Sequence, residues 1–254
     1  LLSSSNARLA AARRLTRRSA RRETGRFLAE GAQAVRSALA AGAVLEVFAT
    51  AEAIERHPSL TADAAEISPK DAAALSETVT PQGLVAVCAL PQFSLAALAA
   101  RSPRLLAVLV APNDPGNLGT IIRTADAAGA DGVVLDGGAD PYNGKAVRAS
   151  AGSLFHLPIV PAPVADVLAL PGVTSLATSG SGSRSLDDLG SDGTLARPTA
   201  WLFGSEAHGL PPSVLDAADH VVRVPIYGRA ESLNLAAAAA VCLYASARAQ
   251  RSCS

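Results

Sequence analysis

LLAVLVAPNDPGNLGTIIRTADAAGA, residues 105–130, is the stretch from which the fold can be read. Leu105 to Val110 is an apolar run too short for a helix and suited to a buried strand. A loop punctuated by Pro112, Pro115 and Gly116 follows, and residues 117–129 then repeat apolar positions at helical spacing. Leu118, Ile121, Ile122, Ala125 and Ala128 share one helix face, and Arg123 projects from the opposite one beside Gly119, Thr120 and Ala127. Asn117 stands where a helix N-cap would, and capping alone accounts for it.

The same strand, loop, helix pattern recurs downstream. Strands are expected at 132–136, 173–178, 200–203 and 221–224, and helices at 143–150, 212–217 and 232–249. Short apolar strands alternating with helices indicate an α/β fold with a mostly parallel sheet covered on both faces. In such sheets ligands collect beyond the carboxyl ends of the strands, which directs attention to loops 111–118, 178–185, 204–211 and 225–232. Upstream, residues 27–41 repeat apolar positions at helical spacing (Phe27, Leu28, Ala32, Val35, Leu39), and residues 44–48 are strand-like. Ser68-Pro69 opens a helix over 68–77, and residues 83–88 form a further strand. Four segments result: a basic arm or helix over 1–25, a small α/β domain over 26–92, an Ala- and Leu-rich linker over 93–103 between Pro91 and Pro103, and the parallel-sheet domain over 104–254.

With 254 residues, 49% of them hydrophobic, the chain can bury a sizeable core. It holds no apolar run near the roughly 20 residues a spanning helix needs. Cys88, Cys242 and Cys253 are odd in number, far apart and without metal-ligand spacing, so they read as reduced thiols of a cytoplasmic protein with no metal site. Net charge is zero, yet the first 26 residues carry eight arginines against Glu23 alone. Arg13, Arg14, Arg17, Arg18, Arg21, Arg22 and Arg26 are candidate contacts to a polyanion, with nucleic acid the first partner to test. A mitochondrial transit peptide is a second reading of this start. A third is that arginine is simply the chain's usual cation, at twenty against two lysines.

The loop at 111–118 lacks the glycines and lysine of dinucleotide and P-loop motifs. The small residues around Arg123 leave a guanidinium room for a bulky ligand, and its planar fork suits an RNA phosphate. In the loop at 202–211, Gly204 and Gly209 permit close backbone approach to a ligand, Glu206 is a carboxylate able to orient Arg123 or Asn117 or to cap the next helix, and His208 could be a base but reads more readily as incidental. The stretch 224–235 combines a proline-broken strand with a helix start at Ser232 and Asn234, offering backbone groups to an adenine or amino-acid moiety.

Asn113-Asp114-Pro115-Gly116-Asn117-Leu118-Gly119-Thr120-Ile121-Ile122-Arg123-Thr124, Phe203-Gly204 through Glu206 to Gly209-Leu210, and Val224-Pro225-Ile226 through Gly228 to Ser232-Leu233-Asn234 resemble, in order, the three motifs of the SpoU (TrmH) family of RNA ribose 2′-O-methyltransferases. Residues 21–31 and 80–87 resemble the substrate-binding domain, ribosomal-protein-like in fold, that precedes the catalytic domain of members acting on ribosomal RNA. The departures are Asp114 in the first motif and Ala207-His208 in the second. The resemblance implies a deep trefoil knot of the SPOUT type, an exception to the no-knot rule, with S-adenosylmethionine bent within it and catalytic domains paired as a homodimer. It assigns the polar catalytic set to Asn117, Arg123, Glu206, Ser232 and Asn234. Cofactor contacts would come from Ala177, Thr178, Leu202, Gly204, Val224, Ile226 and Leu233, mostly through backbone atoms.

For a ribose hydroxyl to attack a sulfonium methyl in line, the reactants must be oriented and the hydroxyl proton taken or shared. Arg123 is expected to bind the phosphate beside the target ribose and to help deprotonate its hydroxyl, with Asn117, Glu206 and Ser232 fixing the geometry. An arginine's ordinary pKa above roughly 12 makes positioning alone the competing role. The added front domain favours ribosomal RNA, of the large subunit, over transfer RNA as substrate. A knotted RNA-binding protein without methyl transfer is a second class of function, and a nicotinamide-dependent oxidoreductase a third that no glycine fingerprint supports.

Overall fold

The computed structural model describes residues 1–252, so Cys253 lies outside the described part. Two compact units emerge, Leu1–Gln92 with Asp140–His156, and Phe93–Ala139 with Leu157–Ser254.

The first unit carries a four-stranded sheet of β1 (Arg26–Glu30), β2 (Val44–Ala49), β3 (Ala65–Glu66) and β4 (Leu84–Ala89), in the order β1-β4-β2-β3. β4 runs antiparallel to both β1 and β2. The helix expected over 27–41 is therefore shorter, Ala32–Ala40, and its supposed first turn is strand. Phe27, Leu28 and Ala29 are all buried. A run buried on both faces carries no period that separates strand from helix, and its pairing with β4 decides the matter. The helix begun by Ser68 spans Pro69–Ala74, with the Ser68 hydroxyl accepting from the Asp71 amide.

Of the arm or helix expected over residues 1–25, the helical alternative is the one found. These residues fold into helices Ala7–Arg14 and Arg18–Thr24. Leu9, Ala12 and Leu15 sit in one core with Leu28, Phe48 and Ile67, because a buried stripe at helical spacing underlies the arginines. Several of those arginines are held within the unit: Arg8 pairs with Glu46, Arg13 with Asp71 and Arg14 with Glu23. Arg21 is buried, donating to Asp140 at 2.7 Å and to the Leu15 and Thr16 carbonyls at 2.8 and 2.9 Å. Residues 140–156, expected within the 104–254 segment, belong to this unit instead. The Phe27 ring lies 4.8 Å from that of Tyr142 and 5.8 Å from that of Phe155.

The second unit is a seven-stranded sheet, β7-β6-β5-β10-β8-β11-β9, in which every neighbouring pair is parallel. Its strands are β5 (Leu105–Val110), β6 (Gly132–Asp136), β7 (Ile159–Pro161), β8 (Thr174–Thr178), β9 (Arg184–Ser185), β10 (Thr199–Phe203) and β11 (His220–Arg223). β7 and β9 are too short to show any period in the sequence. β10 inserts between β5 and β8, and β11 between β8 and β9, so strands formed late in the chain occupy interior places. Leu106, Val108, Val134, Ala177, Ala200 and Leu202 fill the core on one face. The linker over 93–103 is also structured: Ser94 caps helix Leu95–Ala99, whose Leu98 is buried in that core.

Helix Pro115–Ala128 buries Leu118, Ile121, Ile122, Ala125 and Ala128, as the periodicity requires; Gly119, expected on the solvent face, is buried too. This helix packs against the C-terminal helix Leu235–Ser252. At the amino ends of the strands, Ser246 of the latter accepts from Trp201 Nε1 at 2.9 Å and meets Thr199 Oγ1 at 3.1 Å. Gln250 Nε2 donates to the Arg104 and Arg197 carbonyls, both at 2.9 Å. No helix among the described residues is long and apolar enough to cross a membrane.

Candidate active site

The carboxyl ends of β8, β10 and β11 surround a cavity of about 590 Å³. Of the residues singled out by sequence, Thr178, Gly204, Glu206, Val224, Ile226, Ser232, Leu233 and Asn234 line it. Ala177 and Leu202 do not, being fully buried in the sheet one residue short of the strand ends. Thr178 turns its hydroxyl onto the Leu202 carbonyl at 2.8 Å.

Gly204 has a different reason to be glycine from the one the sequence suggests. A Cβ there would fall 2.0 Å from the Gly209 carbonyl carbon and 2.3 Å from the Leu210 amide nitrogen. The loop closes on itself, through a bridge between Ser205 and Gly209, and no side chain fits inside the closure. This closed loop presents Glu206 to the start of helix Pro115–Ala128.

The N-cap of that helix is Asp114, which accepts from the Gly116 amide at 3.0 Å; Asn117, expected to cap, lies inside the first turn. Its side chain is thereby free for longer-range bonds. Asn117 Nδ2 donates to Glu206 Oε1 at 2.9 Å, while its Oδ1 accepts from Asn234 Nδ2 at 3.2 Å. Asn234 Oδ1 in turn accepts from the Ala236 amide at 2.9 Å, capping the C-terminal helix. Glu206 also accepts from the Asn113 amide at 3.0 Å and the Asp114 amide at 3.3 Å. Three loops distant in sequence are thus joined by one hydrogen-bonded chain.

Burial raises the Glu206 pKa, but the bonds from Asn117, from Asn113 and from neighbouring backbone amides together hold it below the usual glutamate value. Accepting from both the backbone and the Asn117 side chain, the carboxylate brackets the two loops. Arg123 is exposed and does not line the cavity, and among the described residues it has no ion pair or hydrogen bond. His208 lines the cavity rim and is exposed. Ser179, Gly180, Leu215 and Ala238 also line it without having been singled out. For the first two, the carboxyl-end rule had marked their loop without any motif to select them. No group of metal-ligating side chains occurs among the described residues.

Of the arginines expected to meet RNA, Arg17, Arg22 and Arg26 are exposed and, among the described residues, form no ion pair; Arg18 is exposed as well. Arg13 and Arg14 already hold carboxylates, and Arg21 is inside the fold.

Comparison with known proteins bears on this geometry. Residues 104–244 match the model of the SpoU rRNA methylase family, and residues 6–86 match that of an MRM3-like substrate-binding domain. The chain is 39% identical to a 23S rRNA (guanosine(2553)-2′-O)-methyltransferase, RlmP, of Bacillus subtilis, over 88% of this chain and 89% of that one. It superposes on the SpoU methyltransferase AviRb of Streptomyces viridochromogenes, solved with the cofactor AdoMet, with a TM-score of 0.84 and 31% identity over 97% of this chain and 99% of that one. An AdoMet-bound rRNA methyltransferase from Sinorhizobium meliloti gives a TM-score of 0.80 and 32% identity, covering 98% and 97%.

Proposed function

Because this chain belongs to the SpoU rRNA methylase family, and so transfers a methyl group from S-adenosylmethionine to a ribose 2′-hydroxyl of structured RNA, we propose that its substrate is the RNA of the large ribosomal subunit. The parallel sheet of the second unit is typical of the SPOUT knot fold. The observation that carries the mechanistic reading is the Glu206–Asn117–Asn234 chain, whose two ends line the cavity.

The cavity suits the cofactor. Its volume lies within the roughly 300–1,000 Å³ usual for ligand sites, and its wall mixes backbone at strand ends with apolar Leu210, Val224, Ile226 and Leu233. Thr178, Gly204, Val224, Ile226 and Leu233 would hold the cofactor, with the backbone of Ala177 and Leu202 setting the strand ends. S-adenosylmethionine supplies there a methyl group on a positively charged sulfur.

The chain's own part is to orient the ribose hydroxyl, which is where much of the available rate enhancement lies. Arg123, exposed and without an ion pair or hydrogen bond among the described residues, grips the phosphate beside the target ribose with its fork. Asn117 and Glu206 fix the first turn of the helix that carries it. Ser232 and Asn234 present the third loop to the same space. In the first unit Arg17, Arg18, Arg22 and Arg26 meet RNA phosphates, Arg13 and Arg14 contribute less because they hold carboxylates, and Arg21 serves the fold.

Ala237, Val241 and Tyr244 form an exposed stripe on the C-terminal helix at i, i+4, i+7, with Val241 42% and Tyr244 46% exposed. A second copy pairing there makes the homodimer. Cys88 and Cys242 are free thiols, which suits a reducing cytoplasm. The substrate reading is tested by incubating labelled S-adenosylmethionine with unmodified large-subunit RNA and with transfer RNA. Label in the former alone is expected; label in transfer RNA alone would overturn it.

A further inference from the structure

One peptide unit beside the active site is gripped from both sides. The Pro112 carbonyl accepts from the Ala139 amide at 2.7 Å, and the N–H at the other end of the same peptide, that of Asn113, donates to Glu206 Oε2 at 3.0 Å. Peptide planarity makes the two bonds one constraint, since rotating the plane breaks both. The preceding residue, Ala111, has φ 49°, a left-handed conformation that a non-glycine residue holds only when its surroundings impose it.

Gly138 makes that grip reachable. Its φ is +79°, and a Cβ on it would fall 2.5 Å from the Pro112 oxygen and 2.6 Å from both the Pro112 nitrogen and Cδ. None of these is the free end of a flexible side chain, so any larger residue at 138 must push the 112–113 peptide away. Gly138 and Ala139 belong to neither the cavity wall nor the three motif loops.

We propose that Gly138 is a positioning residue for methyl transfer. By letting the chain after β6 pack against Pro112, it sets the Asn113 amide on Glu206, and through Glu206 and Asn117 it sets Asn234 at the cavity. The inference rests on the reading of Glu206 as a bracket in a ribose methyltransferase.

The test is single-turnover methylation of large-subunit RNA by wild type, Gly138→Ala, Glu206→Gln and the double variant, with S-adenosylmethionine affinity measured by calorimetry. Gly138→Ala is expected to lower the rate about tenfold while cofactor affinity stays within twofold. The double variant is expected to be no slower than Glu206→Gln alone, because both act through one bracket. An unchanged rate in Gly138→Ala, or losses that multiply in the double variant, would overturn the assignment. Inactive wild type would instead count against the methyltransferase reading. Should Gly138→Ala not fold, amide exchange in the wild type decides: the Asn113 amide, in an exposed residue, is expected to exchange at least tenfold more slowly than an open loop amide, and unprotected exchange would refute the grip.

Discussion

The two ends of the parallel sheet use the same kinds of residue for opposite purposes. At the amino ends, Thr199, Ser246 and Gln250 are buried, and their bonds to Trp201 and to the Arg104 and Arg197 carbonyls leave a closed polar knot between the sheet and the C-terminal helix. At the carboxyl ends, Asn117, Glu206 and Asn234 are bonded to one another yet open to solvent beside a large cavity. Burial, not residue type, separates a network that holds the fold from one that we propose orients a substrate. A buried amide deprived of its partner costs stability, whereas an exposed one falls back on water and costs only geometry.

The contrast breaks first at Arg123. Arg123→Ala is expected to lower single-turnover methyl transfer at least about 100-fold, the loss seen when a donor aimed at a transition state is removed, with cofactor affinity and thermal midpoint unchanged. Arg123→Lys should lose nearly as much, since an ammonium cannot reproduce the fork; full activity in the lysine variant would refute the phosphate clamp. At the other end, Ser246→Val orphans Trp201 Nε1 and leaves the Thr199 hydroxyl only its longer bond from Gln250 Nε2 at 3.5 Å, and the expected cost is about 1–3 kcal/mol of stability by denaturant titration. Its activity per folded molecule should match wild type.

How much of this could be read in advance follows the same division. The strands over 105–110 and 132–136 and the buried face of helix Pro115–Ala128 were legible because a period of buried apolar residues writes itself into the sequence. Phe27 to Glu30 was not, because residues buried on both faces carry no period. Under the first arginines the sequence offers an arm or a helix without deciding between them, because the charge around Leu9, Ala12 and Leu15 masks their buried stripe. Asn117 stood out in the sequence as a cap, but capping is a local property, and Asp114, three residues earlier, already provides it. The bonds from Asn117 to Glu206 and Asn234 span 89 and 117 residues, and no local pattern records such distances. Ser246 and Gln250 carry no local signal in an alanine-rich helix for the same reason.

Two smaller effects sharpen the comparison. The Glu206 pKa is depressed in the folded state, so its contribution is complete above the ordinary value near 4.3 and is lost only as pH falls through the depressed value. Glu206→Gln should therefore lower the methylation rate about tenfold at every pH between 5 and 8 without changing the shape of the profile. A limb that disappears in the variant would show that Glu206 titrates in that range and is no bracket. The smallest effect is expected of the thiols. Burial pushes Cys88 and Cys242 up to about 12. In a Cys253→Ser variant, iodoacetamide at pH 8 should label neither until the chain is unfolded, and mass spectrometry of the native protein reads this directly.

The account stands most directly on the single-turnover rate of methyl transfer in Asn117→Ala at saturating S-adenosylmethionine. Asn117 is the link through which Glu206 meets Asn234, so the rate should fall at least about tenfold while cofactor affinity and thermal midpoint stay at wild-type values. A wild-type rate in that variant would contradict the claim that the hydrogen-bonded chain at the carboxyl ends arranges the reaction.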